Sequence, residues 1–504
     1  MIDIRRFSDM QACSLRLRSF YHSRKSLIRK VAKVQKSASL FCIVSPRRNC
    51  KILEKRKRDI HMKEMTTGNP LRQLTAFAIP MLLGSIFQQI YSVADTIIVG
   101  RFLGEAALAG VGGTGTLTFF LLAFVTGLGN GAGLIIAQAF GCRDTEKMRS
   151  TVTALLWIGS GFTLVIALLG AAASRPLLTL LGVPDDVMAY SLPYLRIILL
   201  FSAGSIVYNG ASSILRSVGD SVTPLYALAL ASVLNISLDL LFILVLHLGV
   251  TGAALATVIS QLCSAVLCAV CLIRKRQLLG LSGLSIRPEA AYVRLIVKTG
   301  FPAAFQSCMI SLGGMSVQRL VNSYGAPAMA AYAAANRIDS MAIQVIVSFG
   351  TALSVFTGQN MGAGNFDRIK KGLHCTLLLM MISSVSLALF VLCFRFPLMK
   401  LFLDSADSAE AVSIGAVYLS IIGVAYIIAG IMQSYQNIIR GAGDVNTCMV
   451  AGLTELAGRI VFAYLLAPLL GTTGIWLATP LSWSCGCIIP VLRYYSGKWK
   501  TKRL

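Results

Sequence analysis

Charge is scarce in this chain. Asp, Glu, Lys and Arg make up 13% of its 504 residues, about half the share usual in a soluble domain, so a soluble protein is excluded. Histidine is scarce too: His22, His61, His247 and His374 share no metal-ligand spacing, and no H-E-x-x-H occurs. There is no Walker-type phosphate loop either, so the chain carries no ATP motor of its own. Cysteines are scattered, and the closest pair, Cys485 and Cys487, has the wrong spacing for a redox or zinc site. They read as small buried hydrophobes. With no nucleophile or metal set in evidence, the chain does not read as an enzyme and needs no cofactor.

What the sequence has in abundance is apolar length. It is 56% hydrophobic with a mean hydropathy of +0.72. The stretch from Leu74 to Gly100 contains no Lys or Arg and one acid, Asp95. It exceeds the roughly 20 residues that a helix needs to cross a bilayer. A carboxylate in such a helix costs about 2.5–3.5 kcal/mol on insertion scales and so implies a role. Pro80 removes a backbone donor near the start of the stretch and can bend it. Comparable runs follow at 106–139, 150–173, 187–214, 222–246, 250–273, 292–320, 327–356, 372–395, 411–439, 446–468 and 473–495. The expected fold is therefore an all-α integral membrane protein of about twelve spanning helices.

Net charge is +25, but its placement decides what it means. About 19 of the 46 Lys and Arg precede Leu74, in a tail without long apolar periodicity that reads as disordered chain. Translation is expected to begin at Met62 or Met65, leaving residues 1–65 as a basic tail or an over-extended start. Nucleic-acid binding is not implied. Connections after even-numbered helices hold Arg143, Lys147 and Arg149, then Arg274, Lys275 and Arg276, then Arg368, Lys370 and Lys371. Those after odd-numbered helices hold Asp185, Asp186, Asp404, Asp407 and Glu410. The positive-inside rule puts both termini in the cytoplasm.

The chain also repeats itself. Residues 104–149 overlay 325–370 without a gap, pairing Gly104 with Gly325, Gln138 with Gln359 and Gly141 with Gly362. Arg216-x-x-Gly219-Asp220 recurs as Arg440-x-x-Gly443-Asp444, and Pro80 matches Pro302. Two six-helix lobes, 66–286 and 287–504, are expected, related by a pseudo-twofold axis along the membrane normal with a cleft between them. Transporters are built this way.

Gly110-Val-Gly112-Gly113-Thr-Gly115 fits a dinucleotide fingerprint literally but follows no strand; close helix approach through small residues explains it better. The chemically informative set lies elsewhere. Asn235 and Asp239 stand four apart on one helical face, and Thr257 falls at a similar depth in the next helix. With Asp95 they supply two carboxylates, an amide oxygen and a hydroxyl. Oxygen ligands suit a hard cation, and two close acids could instead share a proton. The repeat places no acid at the corresponding positions of the second half, so the shared fold does not require these two. Arg337 with Asp339, and Glu455 with Arg459, read there as structural ion pairs, with a role in substrate passage as the alternative.

FAIPMLLGSIFQQIYSVADTIIVGRFLGEAALAGVG, AQAFGCRD, LRSVGDSVTPL, LNISLDLLF with GVTGAALATVIS, and GQNMGAGN resemble the multidrug and toxic compound extrusion (MATE) family over residues 66–495. The resemblance implies a secondary antiporter in the plasma membrane that exports organic, mostly cationic and amphipathic drugs in exchange for Na+ or H+ by alternating access. It implies a coupling site of Asp95, Asn235, Asp239 and Thr257, with Asp95 and Asp239 as the metal ligands if the cation is Na+. It also implies a hinge at Pro80 and a substrate cavity that includes Gln88, Tyr91 and Asn209. A monomer in the lipid bilayer is expected. The seventh helix lacks the cation-binding Glu of some branches, since residues 303–314 contain no acid. The alternative is a flippase for a lipid-linked sugar or cell-wall precursor, which a basic central cavity would favour; few candidate cavity bases are evident in the first half.

Overall fold

A computed structural model describes residues 64–504 except 181–182, 278, 282, 284–286, 404–407 and 503; of residues 116 and 119 it describes the backbone only. The expectations placed on residues 1–63, and on Asp404 and Asp407, lie outside the described residues. Every described element is a helix. Eleven are long and apolar enough to span a membrane, and a bent pair supplies a twelfth.

In chain order the spans are α1 (Pro70–Leu103), α2 (Glu105–Cys142), α3 (Thr145–Leu180), the bent α4 (Asp185–Leu200 with Ala203–Ser217), α5 (Val222–Val245) and α6 (Gly249–Lys275). The second set is α7 (Ala290–Asn322), α8 (Ala326–Gly362), α9 (Phe366–Lys400), α10 (Ala409–Ala442), α11 (Val445–Leu470) and α12 (Thr472–Tyr495). The single run expected over 187–214 is thus broken, with a 48° bend. Just past the break, a Cβ on Gly204 would press on the backbone of Leu262 in α6. Close approach to α6 accompanies the turn. Side chains such as Leu164, Leu169, Val233, Leu389 and Ile488 are more than half exposed, as lipid-facing groups should be.

Within the first half, α5 packs on α1 and α6, and α2 packs on α4. Within the second, α10 packs on α8, α9 and α12, and α11 on α7 and α12. The seam between halves joins α2 to α7 and α8, and α1 to α8. Small residues make it possible: Gly127 meets Ala304, and Gly131 meets Gly300, without room for a Cβ. At the end where Met65 and Leu504 lie, Gly141 abuts the Gln359 carbonyl and Gly362 the Gln138 carbonyl. The Gly-rich stretch of α2 behaves otherwise. Gly110 touches Tyr190, but Gly112, Gly113 and Gly115 face open space, so close approach explains only the first of them.

Met65 is fully buried among Phe77, Phe356 and Trp499. Its N–H donates to Gln359 Oε1 at 2.9 Å, and its carbonyl accepts from Asn360 and Arg368. The thiols of Cys268 and Cys271, which stand at C-x-x-C spacing within α6, are both free.

Candidate functional site

The site starts from one face of α5. Ser232 donates to the Phe87 carbonyl of α1 at 3.1 Å, and Gly84 of α1 lies against Leu228, so the two helices run close together. One turn beyond Ser232 come Asn235, 1% exposed, and then Asp239, fully buried. Asp95 lies three turns past Gly84, half-buried, and near enough to Asp239 for their charges to interact. Asn235 Nδ2 donates to Thr257 Oγ1 of α6 at 3.5 Å. Tyr194 of α4 lies near Thr257 and within electrostatic reach of Asp95 and Asp239. The four residues expected at this site are therefore brought together from three helices.

Four of their oxygens are buried without a hydrogen-bond partner: Asp95 Oδ1, Asn235 Oδ1 and both carboxylate oxygens of Asp239. Buried polar atoms are almost always satisfied, and an unsatisfied one costs about 1–3 kcal/mol. Gathered on two acids and an amide, these acceptors have the chemistry to hold a hard cation or a proton. Among the described residues no set of three or more His, Cys, Asp or Glu could hold a metal, so a tightly chelated transition metal does not fit. An apolar cluster of Ile98, Val99, Ala107, Ile243 and Val250 lies beside the site, with Tyr194 packed against it.

A cavity of about 160 Å³ in the same half is lined by Pro80, Gln88, Tyr91 and Asn209, the hinge and cavity residues expected from the sequence. Tyr91 lines this cavity beside Gln88 and Gln261 and lies within electrostatic reach of Asp95, which links this cavity to the acid site. Asn209 Nδ2 donates back to the Ser205 carbonyl at 2.8 Å. Tyr194 and Gln261 escaped sequence reading; both are uncharged, and only the packing of α4 and α6 brings them in. Pro80 lies inside α1, which continues as one helix through it.

The second half corrects one expectation. Arg459 does pair with Glu455 at 2.9 Å, but no ion pair joins Arg337 to Asp339 among the described residues. Asp339 instead accepts from Tyr426 at 3.0 Å and Tyr418 at 3.4 Å. Residues two apart on a helix project to different sides, whereas four apart they meet.

The repeated R-x-x-G-D motif divides its labour. Asp220 holds Lys275 at the end of α6, and Asp444 holds Arg493 at the end of α12 at 2.6 Å. Arg216 and Arg440 turn instead into a cavity of about 410 Å³ at the seam, lined from α2, α4, α7, α8 and α10. Arg216 is a cavity base in the first half that sequence reading passed over.

Comparison with known proteins places this geometry. The MatE family model matches twice, over residues 80–241 and 302–465. The chain is 31% identical over 442 residues to "Probable multidrug resistance protein YpnP" of Bacillus subtilis (strain 168), covering 88% of this chain and 98% of that one. It is 29% identical over 443 residues to "Probable multidrug resistance protein YoeA" of the same organism, covering 86% and 95%. A solved structure described as "Crystal structure of MATE in complex with MaL6" shares the fold with a TM-score of 0.82 at 23% identity, over 87% of this chain and 98% of that one.

Proposed function

The chain belongs to the MatE family, and from that premise we propose that it is a secondary active antiporter. It exports amphipathic organic compounds, mostly cationic, in exchange for Na+ or H+. The relatives named for multidrug resistance support extrusion of many compounds and do not favour the flippase alternative, even though Arg216 and Arg440 in the seam cavity are the kind of bases that alternative calls for. The lobes 66–286 and 287–504 alternate access to the two sides of a plasma membrane, with both termini cytoplasmic and the chain acting as a monomer. It is a transporter rather than an enzyme.

The observation that carries this reading is the set of four unpartnered buried oxygens on Asp95, Asn235 and Asp239. A bound Na+ or a proton removes their desolvation penalty, so loading the site stabilises whichever arrangement of α1 closes around it. Pro80 lacks the N–H that would stiffen that turn, and Asp95 lies four turns further along the same helix. Charge at the acid is thereby tied to the bend of α1. The exporting arrangement then binds drug less tightly, a coupling typically worth about 1–3 kcal/mol. A positive group on the drug would compete with the ion for the same two acids.

Dye efflux from reconstituted vesicles, with a Na+ gradient and a pH gradient imposed separately, tests the proposal. One gradient should drive efflux, and Asp95→Asn should abolish the response while the protein stays folded. Undiminished gradient-driven efflux from that variant would refute the assignment.

A further inference from the structure

We propose that the central cavity binds a negatively charged oxygen group of the exported compound, a carboxylate or phosphate, between Arg216 and Arg440. The inference rests on the transport reading and narrows its substrate class to compounds that carry an oxyanion beside any cationic group.

Both arginines line the cavity at the seam, and no Asp or Glu joins them in its lining. Neither forms an ion pair among the described residues. The acids four residues further on, Asp220 and Asp444, could have neutralised them but are engaged by Lys275 and Arg493. Two guanidinium groups therefore share one partly enclosed cavity without a counter-charge. Such charge is costly away from bulk water unless something negative pairs with it.

The uncharged groups around them also present donors. Arg440 gives one N–H to Gln306 Oε1 at 2.6 Å and another to Asn437 Oδ1 at 3.4 Å. Gln306 Nε2 then donates to Gln436 Oε1 at 3.3 Å. This relay occupies the acceptors and leaves Gln436 Nε2 buried without a partner, on a residue 2% exposed that lines the cavity. Arg216 uses Nε on the Ser212 carbonyl at 3.2 Å. A free amide donor and two guanidinium forks match an oxyanion, for which planar bidentate donation is the strongest recognition available. The arginines come from equivalent places in the repeat, so a single group between them touches both halves. About 410 Å³ lies within the roughly 300–1,000 Å³ typical of small-molecule sites.

The test is equilibrium binding to the purified full-length protein in uncharged detergent micelles, without an ion gradient. The probes are rhodamine B, which has a free carboxylate, and its ethyl ester, followed by fluorescence anisotropy. The wild type should bind the acid about tenfold or more tighter than the ester. Arg216→Gln with Arg440→Gln should remove that preference and leave ester binding intact, which also shows that the variant is folded. Lysine at both positions, keeping charge but losing the fork, should retain part of it. Equal binding of acid and ester by the wild type, or a preference that survives the double glutamine variant, would overturn the proposal. Competition by inorganic phosphate assigns the oxyanion to a dissolved compound, and competition by phosphatidylglycerol but not phosphatidylcholine assigns it to a lipid headgroup. With no gradient present, failure here leaves ion coupling untouched, and failure of coupling in vesicles leaves the binding preference untouched.

Discussion

Gln138 and Gln359 occupy equivalent places in the repeat, and each reaches across the seam to a backbone carbonyl of the other half. Gln138 Nε2 donates to the Gly441 carbonyl at 3.2 Å, and Gln359 Nε2 to the Ser217 carbonyl at 2.9 Å. Their oxygens are held by the two ends of the described chain, Leu504 N–H at 2.8 Å and Met65 N–H at 2.9 Å. Both acceptor carbonyls directly follow the cavity arginines, so this latch closes the cleft immediately beside them.

Gln359→Ala should release that latch on one side. It leaves the Met65 N–H and the Ser217 carbonyl buried and unpaired, at about 1–3 kcal/mol each. Hydrogen–deuterium exchange should show lost protection around residues 65–68, while Gln88→Ala at the exposed Gln88 leaves it unchanged. Retained protection in Gln359→Ala would mean that the hydrogen bonds do not hold the seam.

Gly141→Ala and Gly362→Ala probe the same closure by volume. Each added methyl would overlap a glutamine carbonyl of the opposite half, so the helices must separate, at about 1–3 kcal/mol for overpacking. Gly112→Ala and Gly113→Ala, which face open space inside α2, should not lower thermal stability and should raise it by about 0.5–1 kcal/mol each through helix propensity. Thermal unfolding in detergent separates the two classes, and equal effects from both would contradict the packing described.

Much of this was legible beforehand because charge is so rare in the chain. Asp95 and Asp239 stand out in apolar runs, and the four-residue spacing of Asn235 and Asp239 fixes a shared face. The repeat likewise exposed the equivalence of Gln138 and Gln359. Their partners were not legible, since those are backbone carbonyls and chain ends that carry no side-chain signal. Tyr194 was hidden because α4 bends, and a hydrophobic run shows length but not direction. Arg337 and Asp339 were not legible as unpaired with each other, because nearness in sequence differs from nearness on a helix, where residues two apart project to different sides.

Asp339 should act in stability rather than in ion coupling. Its carboxylate accepts two tyrosine hydroxyls, and hydrogen bonds to a charged group contribute about 1.5–3 kcal/mol. Tyr426→Phe should lower stability by roughly that amount and Tyr418→Phe, with the longer bond, by less. Gradient dependence of efflux should be unchanged in both. A shift in the ion concentration for half-maximal efflux would instead place Asp339 in the coupling machinery.

Thr257 separates a ligand from a scaffold at the proposed coupling site. Its hydroxyl accepts from the Asn235 amide at 3.5 Å, and Asn235 Oδ1 stays buried without a partner. Thr257→Val keeps the shape but removes that anchor and one oxygen. Because both carboxylates remain, coupling should weaken rather than vanish: the Na+ or H+ concentration for half-maximal efflux should rise about tenfold, the equivalent of about 1.4 kcal/mol. Asp239→Asn removes a charge that nothing else in the site replaces and should abolish gradient-driven efflux. If Thr257→Val left the half-maximal concentration unchanged while Asp239→Asn was inactive, the hydroxyl would be packing and the ion would be held by the acids alone.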